Sequence, residues 1–365
     1  MAASPHIPAL PRQLTRQVLV GEVPLGGGAP LPVQSMLIAP TRDVAACLSQ
    51  ITTLAAAGCQ IIRVAVESTR DLDPFEAICA KSVLPVVADI HFDYRLAVRA
   101  AERGAAKLRI NPGNIGSKDK VEAVINAARA AGIPLRIGVN AGSLQAELRE
   151  ADGLSLADKM LRSARGFVAY FEACGFTDIV LSAKASDVAT TIEAYRKLSQ
   201  ALPELPLHVG VTEAGTAWQG SIRSAVGIGT LLAEGIGDTL RVSLTADPVE
   251  ELRVAHAILA SLGLSNTAGP VLVSCPTCSR CKVDLIGIAE EVERRLASVK
   301  APLKVAVMGC VVNGPGEAAD ADLGVACGKG TGALFSRGKV LYTVEESQII
   351  DALFRELDSL LDGAA

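Results

Sequence analysis

Residues 106–117 read AKLRINPGNIGS, and the fold turns on how this stretch is laid out. It begins as a short strand, 106–110, and passes through a Gly/Pro turn. A helix follows, opened by Ser117 and closed by Gly132, with Val121, Val124, Ile125 and Ala128 on one stripe. Upstream and downstream the same unit recurs. Strands are expected at 33–38, 60–66, 84–90, 106–110, 134–139, 177–183, 206–211 and 238–244, each trailed by a helix-period segment. Asp43 caps a stripe of Val44, Cys47, Leu48 and Ile51 that Gly58 ends. Asp247-Pro248 supplies an N-cap and a proline at the first helical position. Eight βα units in succession predict an α/β protein, a closed (β/α)8 TIM barrel. The preceding QVLVGEVPLGGGAP, residues 17–30, reads as a hairpin plugging one mouth.

Side-chain parity locates the chemistry. Successive strand residues point to opposite faces, so Lys107, Arg109 and Asn111 share one face and Leu108 and Ile110 the other. Likewise Arg136, Gly138 and Asn140 oppose Leu135, Ile137 and Val139, and Arg63, Ala65 and Glu67 oppose Ile62, Val64 and Val66. In the last strand Thr239, Arg241 and Ser243 oppose Leu240, Val242 and Leu244. The aliphatic set packs on the outer helices, which leaves the polar set inside. Barrel interiors are ordinarily layered with branched aliphatics. Arginines from several strands therefore call for anions, because buried cations need partners. Either a ligand supplies them, or internal carboxylates such as Glu67 and Asp89 do.

Asp89, His91, Lys184, His208 and Glu213 fall at or near the C-terminal ends of other strands, where barrel enzymes place their chemistry. The turn 111–117 offers backbone N–H groups at a helix start, which suits a phosphate. By contrast, residues 328–331 lack the spacing and hydroxyl of a phosphate loop, and residues 227–229 lack the third glycine of a dinucleotide fingerprint. His256 sits mid-helix and reads as a packing residue.

Composition narrows the classes. With 365 residues, 50% hydrophobic and 20% charged, the chain has room for a large core and a second module. A net charge of -4 argues against nucleic acid as a partner. No apolar run reaches membrane-spanning length, and the N-terminal segment lacks the apolar core of a secretory signal. A cytoplasmic protein is expected. The nine cysteines then read as thiols or metal ligands rather than a disulfide framework.

Cys275, Cys278, Cys281, Cys310 and Cys327 cluster in the last quarter. Cys275, Cys278 and Cys281 lie on one turn. Residues 304–310 read as a buried strand ending in Cys310, and the Gly/Pro-rich turn 311–317 follows. Such an arrangement can surround one soft metal centre. Three readings stand side by side: a structural zinc site of Cys275, Cys278, Cys281 and Cys310, core thiols without metal, and an iron–sulfur cluster.

Seven segments go further. SCPTC (274–278), MGCVVNGPGEA (308–318), ADIHFDYRLA (88–97), KLRINPGNIG (107–116), RIGVNAGSL (136–144), VGVTEAG (209–215) and GIGDTLRVSL (235–244) together resemble the bacterial 4-hydroxy-3-methylbut-2-enyl diphosphate synthases, the IspG or GcpE family of non-mevalonate isoprenoid biosynthesis. The resemblance implies an oxidoreductase that reductively opens 2-C-methyl-D-erythritol 2,4-cyclodiphosphate. It implies a [4Fe-4S] cluster held by Cys275, Cys278, Cys310 and Glu317, with Cys281 and Cys327 outside the pattern. A carboxylate is harder and more easily displaced than a thiolate, so the iron bearing Glu317 would open a position to substrate. Arg109, Arg136, Lys184, Arg241, Asn140 and Ser243 are implied to hold the diphosphate, with Arg63, His91 and Asn111 beside them. Glu213 is the implied acid for the departing hydroxyl. Flavodoxin or ferredoxin is the implied electron donor, because no flavin or nicotinamide motif is present.

The resulting division is a substrate-binding barrel at 1–265 and a cluster domain at 266–365. Barrel helices run back from the catalytic mouth, so the eighth helix, roughly 22 Å long, leaves the linker at the far end. Residues 263–270 span at most about 27 Å when extended. A head-to-tail homodimer is therefore expected, each cluster domain serving the partner's barrel. The alternatives are a non-redox phosphosugar barrel enzyme with a structural zinc domain, and an iron–sulfur metabolite sensor without turnover.

Overall fold

A computed structural model describes residues 11–140, 142, 144–265, 269–299, 301–310 and 318–362. The chain falls into two compact units, Met1–Asn266 and Thr267–Ala365.

In the first unit an antiparallel hairpin, β1 (Val18–Val20) and β2 (Val23–Leu25), precedes the barrel. Six strands then pair in chain order in one parallel sheet: β3 (Gln34–Met36), β4 (Ile61–Ala65), β5 (Val86–Asp89), β6 (Lys107–Ile110), β7 (Leu135–Asn140) and β8 (Ile179–Lys184). The last two, β9 (His208–Val209) and β10 (Thr239–Leu240), pair parallel with each other. Two parallel bridges complete the ring, Leu181 to Leu207 and Leu240 back to Val33. Closure leaves no edge strand, which is what eight consecutive βα units require.

The last two strands are shorter than their sequence suggests. Past Val209 and Leu240 the Arg241 N–H still donates to the Val209 carbonyl at 3.1 Å. Glu213 then takes a left-handed turn with φ 52°, and beyond it a single parallel bridge joins Thr216 to Thr245.

Local chemistry sets the helix ends as read. The Asp43 carboxylate accepts from the Ala46 N–H at 3.0 Å, and Asp247 accepts from Val249 at 2.8 Å with Pro248 behind it. Gly132 closes its helix in the left-handed region at φ 65°, where a Cβ is penalised. Ser117 precedes that helix but makes no side-chain cap.

Burial follows the parity. Ile62, Val64, Leu108, Ile110, Leu135 and Ile137 join Phe75, Leu96 and Val124 from the helices in one outer core. Ile61, Val87 and Val180, near the N-terminal ends of β4, β5 and β8, form a separate cluster with Val18, Val20 and Leu25. The hairpin thus seals the N-terminal mouth with apolar side chains, and polar inward residues are confined above it.

The second unit is a five-stranded sheet, β11 (Val271–Ser274), β12 (Lys304–Met308), β13 (Leu323–Cys327), β14 (Thr331–Ser336) and β15 (Lys339–Glu345), in that spatial order. The first three strands run parallel; β14 pairs antiparallel with β13, and β15 antiparallel with β14. Helices Leu285–Leu296 and Ile349–Asp362 bury Ile288, Val292, Leu353 and Leu357 against Val305, Val307 and Val325 on one face.

Leu25 is wholly buried in the plug. Leu25→Ala should cost about 2–5 kcal/mol, read as a lower urea midpoint with an unchanged slope.

Candidate functional site

Following the strand registers around the barrel sets the inward residues in tiers drawn from alternate strands. Lowest are Ile61, Lys107, Val180 and Thr239, resting on the hairpin. Above them come Gln34, Val87, Arg136 and His208, and then Arg63, Arg109, Ser182 and Arg241. Met36, Asp89, Gly138 and Gly210 form the next tier, with Asn111, Lys184 and Ser243 higher still. An interior built this way is ionic where most barrels are aliphatic.

Two carboxylates answer part of the charge. Asp89 lies 3.1 Å from Arg109, 3.6 Å from Arg63 and 3.3 Å from the His91 ring. Glu251, from the helix Pro248–Ser261, lies 3.3 Å from Arg241 and also accepts from the Leu244 N–H at 3.0 Å. Glu67, the other acid considered, is exposed. Among the described residues Lys107, Arg136 and Lys184 pair with no acid. Arg136 Nε reaches only the Ser182 hydroxyl, at 3.0 Å. Buried polar atoms without a hydrogen-bond partner include Arg136 Nη1, Arg109 Nε, Arg241 Nε and Lys107 Nζ. Internal acids therefore neutralise only part of the interior.

The electrostatics follow. Burial opposes ionisation of Asp89, but Arg63, the hydrogen bond from His91, and Arg109 outweigh it and hold the carboxyl well below the usual range. Lys184 is pushed far below an ordinary lysine by burial first, then by Arg136, Arg241, Arg63 and Arg109. Burial, then Arg63 and Arg109, press Arg136 the same way. A guanidinium keeps its proton in a protein, so that strain acts as a demand for an anion. Glycines make room for these groups. A Cβ on Gly138 would sit 3.2 Å from two Arg109 nitrogens, and one on Gly210 would sit 2.5 Å from the Arg241 carbonyl oxygen and 2.7 Å from Lys184 Nζ.

The second unit gathers sulfur. Cys275, Cys278, Cys281 and Cys310 line one pocket together with Pro276, Arg280 and Gly309. The Gly309 N–H donates to Cys275 Sγ at 3.1 Å. Gly309 has no room for a side chain, since a Cβ would meet Leu285 at 2.8 Å and Cys281 Sγ at 3.1 Å. Cys278 is exposed, and hydrogen bonds from the Arg280 backbone and side chain hold its thiol below the ordinary value. Cys327 is fully buried in the core, where burial pushes its thiol up to about 12, so it is a packing residue. Soft thiols around an accessible pocket, with a backbone N–H aimed at one sulfur, suit a sulfur-rich metal centre. Among the described residues no three His, Cys, Asp or Glu side chains stand ready for a single ion.

Residues 15–256 match the family model described as the GcpE TIM-barrel domain, and residues 271–359 match that of the GcpE protein C-terminal domain. The chain belongs to the GcpE family.

Relatives agree along nearly the whole length. A Geobacter sulfurreducens protein named 4-hydroxy-3-methylbut-2-en-1-yl diphosphate synthase (flavodoxin) is 55% identical over 347 residues, 95% of this chain and 98% of its own. A Salinispora arenicola protein of the same name is 53% identical over 363 residues, 99% of this chain and 93% of its own. Among solved structures, dihydropteroate synthase from Stenotrophomonas maltophilia covers 67% of this chain and 99% of its own with a TM-score of 0.50. At 15% identity that likeness shows the barrel fold alone.

In this GcpE barrel, Arg63, Arg109, Arg136, Arg241 and Lys184 converge on the interior. Asn111 is buried, while Asn140 and Ser243 are half-buried near the C-terminal mouth. His91 is half-exposed and docked on Asp89. Glu213 is exposed in the loop after β9. Glu317 lies outside the described residues.

One expectation fails. His208 is not at a strand end but fully buried low in the barrel, because β9 begins with it. In the turn after β6, Asn111 takes three of the backbone donors: its side chain accepts from Gly113, and its carbonyl accepts from Asn114 and Ile115.

The sequence reading also missed Glu251, Met36 and Gly210. Met36 Sδ accepts from Arg63 at 2.8 Å. Its inward parity was the available signal, whereas Glu251 reaches in from a helix and gave none.

Breaking the Asp89 ion pairs isolates their role. Asp89 is depressed in the folded state, so its contribution is whole above about pH 4 and fades as pH falls toward the folded value. Asp89→Asn should lose about 3–5 kcal/mol at neutral pH. Its thermal midpoint should be less acid-sensitive than the wild type's below pH about 4, as read by calorimetry across pH.

Proposed function

We propose that this chain performs the reaction for which its relatives are named, forming 4-hydroxy-3-methylbut-2-en-1-yl diphosphate by reductive opening of the cyclic 2-C-methyl-D-erythritol diphosphate. The observation that carries the reading is the excess of inward cations over the carboxylates Asp89 and Glu251. A doubly charged cyclic diphosphate carries the negative charge to answer it. Arg109, Arg136 and Arg241 offer planar forks that suit phosphoryl oxygens, and Lys184 adds a point charge near the mouth. Arg63 is positioned through Asp89. Asn140 and Ser243 join these cations at the diphosphate, with His91 and Asn111 beside it.

The opening breaks one carbon–oxygen bond to phosphate and expels one hydroxyl as water, consuming two electrons and a proton. Glu213 is the candidate proton donor, standing on the loop that leaves β9 at the C-terminal end, with His91 as a weaker candidate; Asp89, held ionised by Arg63 and Arg109, has no proton to give. No side chain delivers electrons. In this reading Cys275, Cys278, Cys310 and Glu317 hold a [4Fe-4S] cluster, which when bound supplies electrons one at a time. The Gly309 N–H at Cys275 would stabilise a thiolate ligand there. The donor is flavodoxin, as in the relatives' names, with ferredoxin as a second carrier.

The eighth helix, Pro248–Ser261, runs away from the mouth where its strand ends, which supports a head-to-tail homodimer with shared sites. Among the described residues no helix is long and apolar enough to cross a membrane, and the cytoplasm is the proposed location.

One observation favours a second reading. Cys281 lines the sulfur pocket too, so Cys275, Cys278, Cys281 and Cys310 would give an all-thiolate zinc site. Its Sγ, however, donates to the Val283 carbonyl at 3.4 Å.

Protein purified without oxygen should be brown, contain iron and sulfide, and turn over the cyclodiphosphate with dithionite and a dye. Colourless protein containing zinc would overturn the cluster. Glu213→Gln should lower kcat by about 10²–10⁴-fold with the cluster spectrum unchanged. Heterodimers of Cys310→Ser and Glu213→Gln chains should regain part of the activity; none in verified mixed dimers would rule out shared sites.

A further inference from the structure

Beneath the arginine tier lie bases that the binding reading leaves unused. Lys107 is wholly buried, and its Nζ has no hydrogen-bond partner. His208 is equally buried, with both ring nitrogens unpartnered. The register sets Lys107 level with Ile61, Val180 and Thr239, on the tier that rests on Val18, Val20 and Leu25.

The charged groups facing Lys107 are Arg136 from β7 and Arg63 from β4, with titratable His208 from β9. β3 contributes Gln34 and β10 contributes Thr239, neither of them ionisable. The hairpin's Glu22 is exposed. On β5, Asp89 sits higher and is engaged by Arg63 and Arg109. A cation on this floor is unsolvated, has no acid beside it among the described residues, and is repelled by guanidinium groups that keep their own protons. Burial, then Arg136 and Arg63, accordingly push the Lys107 ammonium toward its neutral form. His208 is pushed the same way by burial, then Arg136, Lys184 and Lys107.

We propose that Lys107 is a positioning residue that takes up a proton from solvent when a polyanion fills the arginine tier above it. The inference rests on the barrel being the cyclic diphosphate site. The anion cancels the guanidinium field that kept Lys107 neutral, so ligand binding and protonation of the barrel floor become linked. No bond to substrate forms, and the proton comes from water or buffer. The ligand contributes none of the uptake, since each phosphorus of a cyclic diphosphate carries a single strongly acidic oxygen and is fully ionised at neutral pH. Lys107 thereby restores part of the positive charge that bound phosphate removes, which keeps the arginines extended toward the ligand.

The test is calorimetric titration of the full-length, anaerobically purified protein with the cyclodiphosphate, without reductant so that nothing turns over. Running it in buffers of different ionisation enthalpy gives the protons taken up. Wild type should show net uptake at mildly alkaline pH, with affinity falling by up to about tenfold per pH unit for each proton linked. Lys107→Met should take up fewer protons, by as much as one per site, and show a shallower pH profile. Thermal midpoints verify folding, and Lys107→Gln serves if the methionine variant does not fold. A merely structural lysine would leave the proton count unmoved. Binding with no uptake in wild type, or with the same uptake in the variants, overturns the proposal alone. Absence of any binding overturns the ligand reading together with it.

Discussion

The barrel depends on the ion pairs that Asp89 makes with Arg63 and Arg109. A carboxylate and two guanidinium groups inside a closed sheet are costly to desolvate, and they persist only where each offsets the other's loss of water. Among the described residues, Asp89 is the single acid inside the strands that reaches two of the arginines. Without it the tier would be a stack of like charges, and the surrounding sheet would have to open or take in solvent. With it, cations still outnumber the acids that answer them among the described residues. The same residue therefore stabilises the fold and sets its charge.

Space is the second constraint. Arginine needs length, and a barrel closed by eight strands has little to spare. Gly138 and Gly210 leave the volume that Arg109 and Lys184 occupy. They do so at the same level of the barrel, directly above the arginine tier. The hairpin works from the other end. Val18, Val20 and Leu25 close the N-terminal mouth with hydrocarbon, so the cations cannot relax toward water there and the field is directed to the open end. Burial that looks unfavourable residue by residue thus becomes preorganisation when the unit is taken whole.

The smaller unit solves a different problem. Cys275 follows β11 and Cys310 follows β12, and these strands pair side by side, which brings two distant parts of the chain to one pocket. Gly309 allows the second strand's exit to pass close over Cys281 and to aim an N–H at Cys275. A parallel pair of strand ends is a rigid place to hold thiols, because the sheet fixes the backbone while the turns supply the sulfur.

The alternation of strands and helices, the inward parity of Arg63, Arg109, Arg136 and Arg241, and the spacing of Cys275, Cys278 and Cys310 were all legible in the chain. Each is a local pattern, carried by the period of two in strands and by short-range turn chemistry. The proposed ligand set and substrate rest on the family's motifs, since spacing alone did not reject the zinc reading. Folding alone decided which charges meet. Glu251 comes from a helix and Asp89 from a neighbouring strand, so their pairing with Arg241, Arg63 and Arg109 depends on register and closure that no single segment encodes. It also decided that His208 sits deep and that Asn111 takes three N–H groups of its own turn. Sequence sets which way a side chain points from its strand; how far up the barrel it stands, and what waits opposite, comes from the stagger between strands.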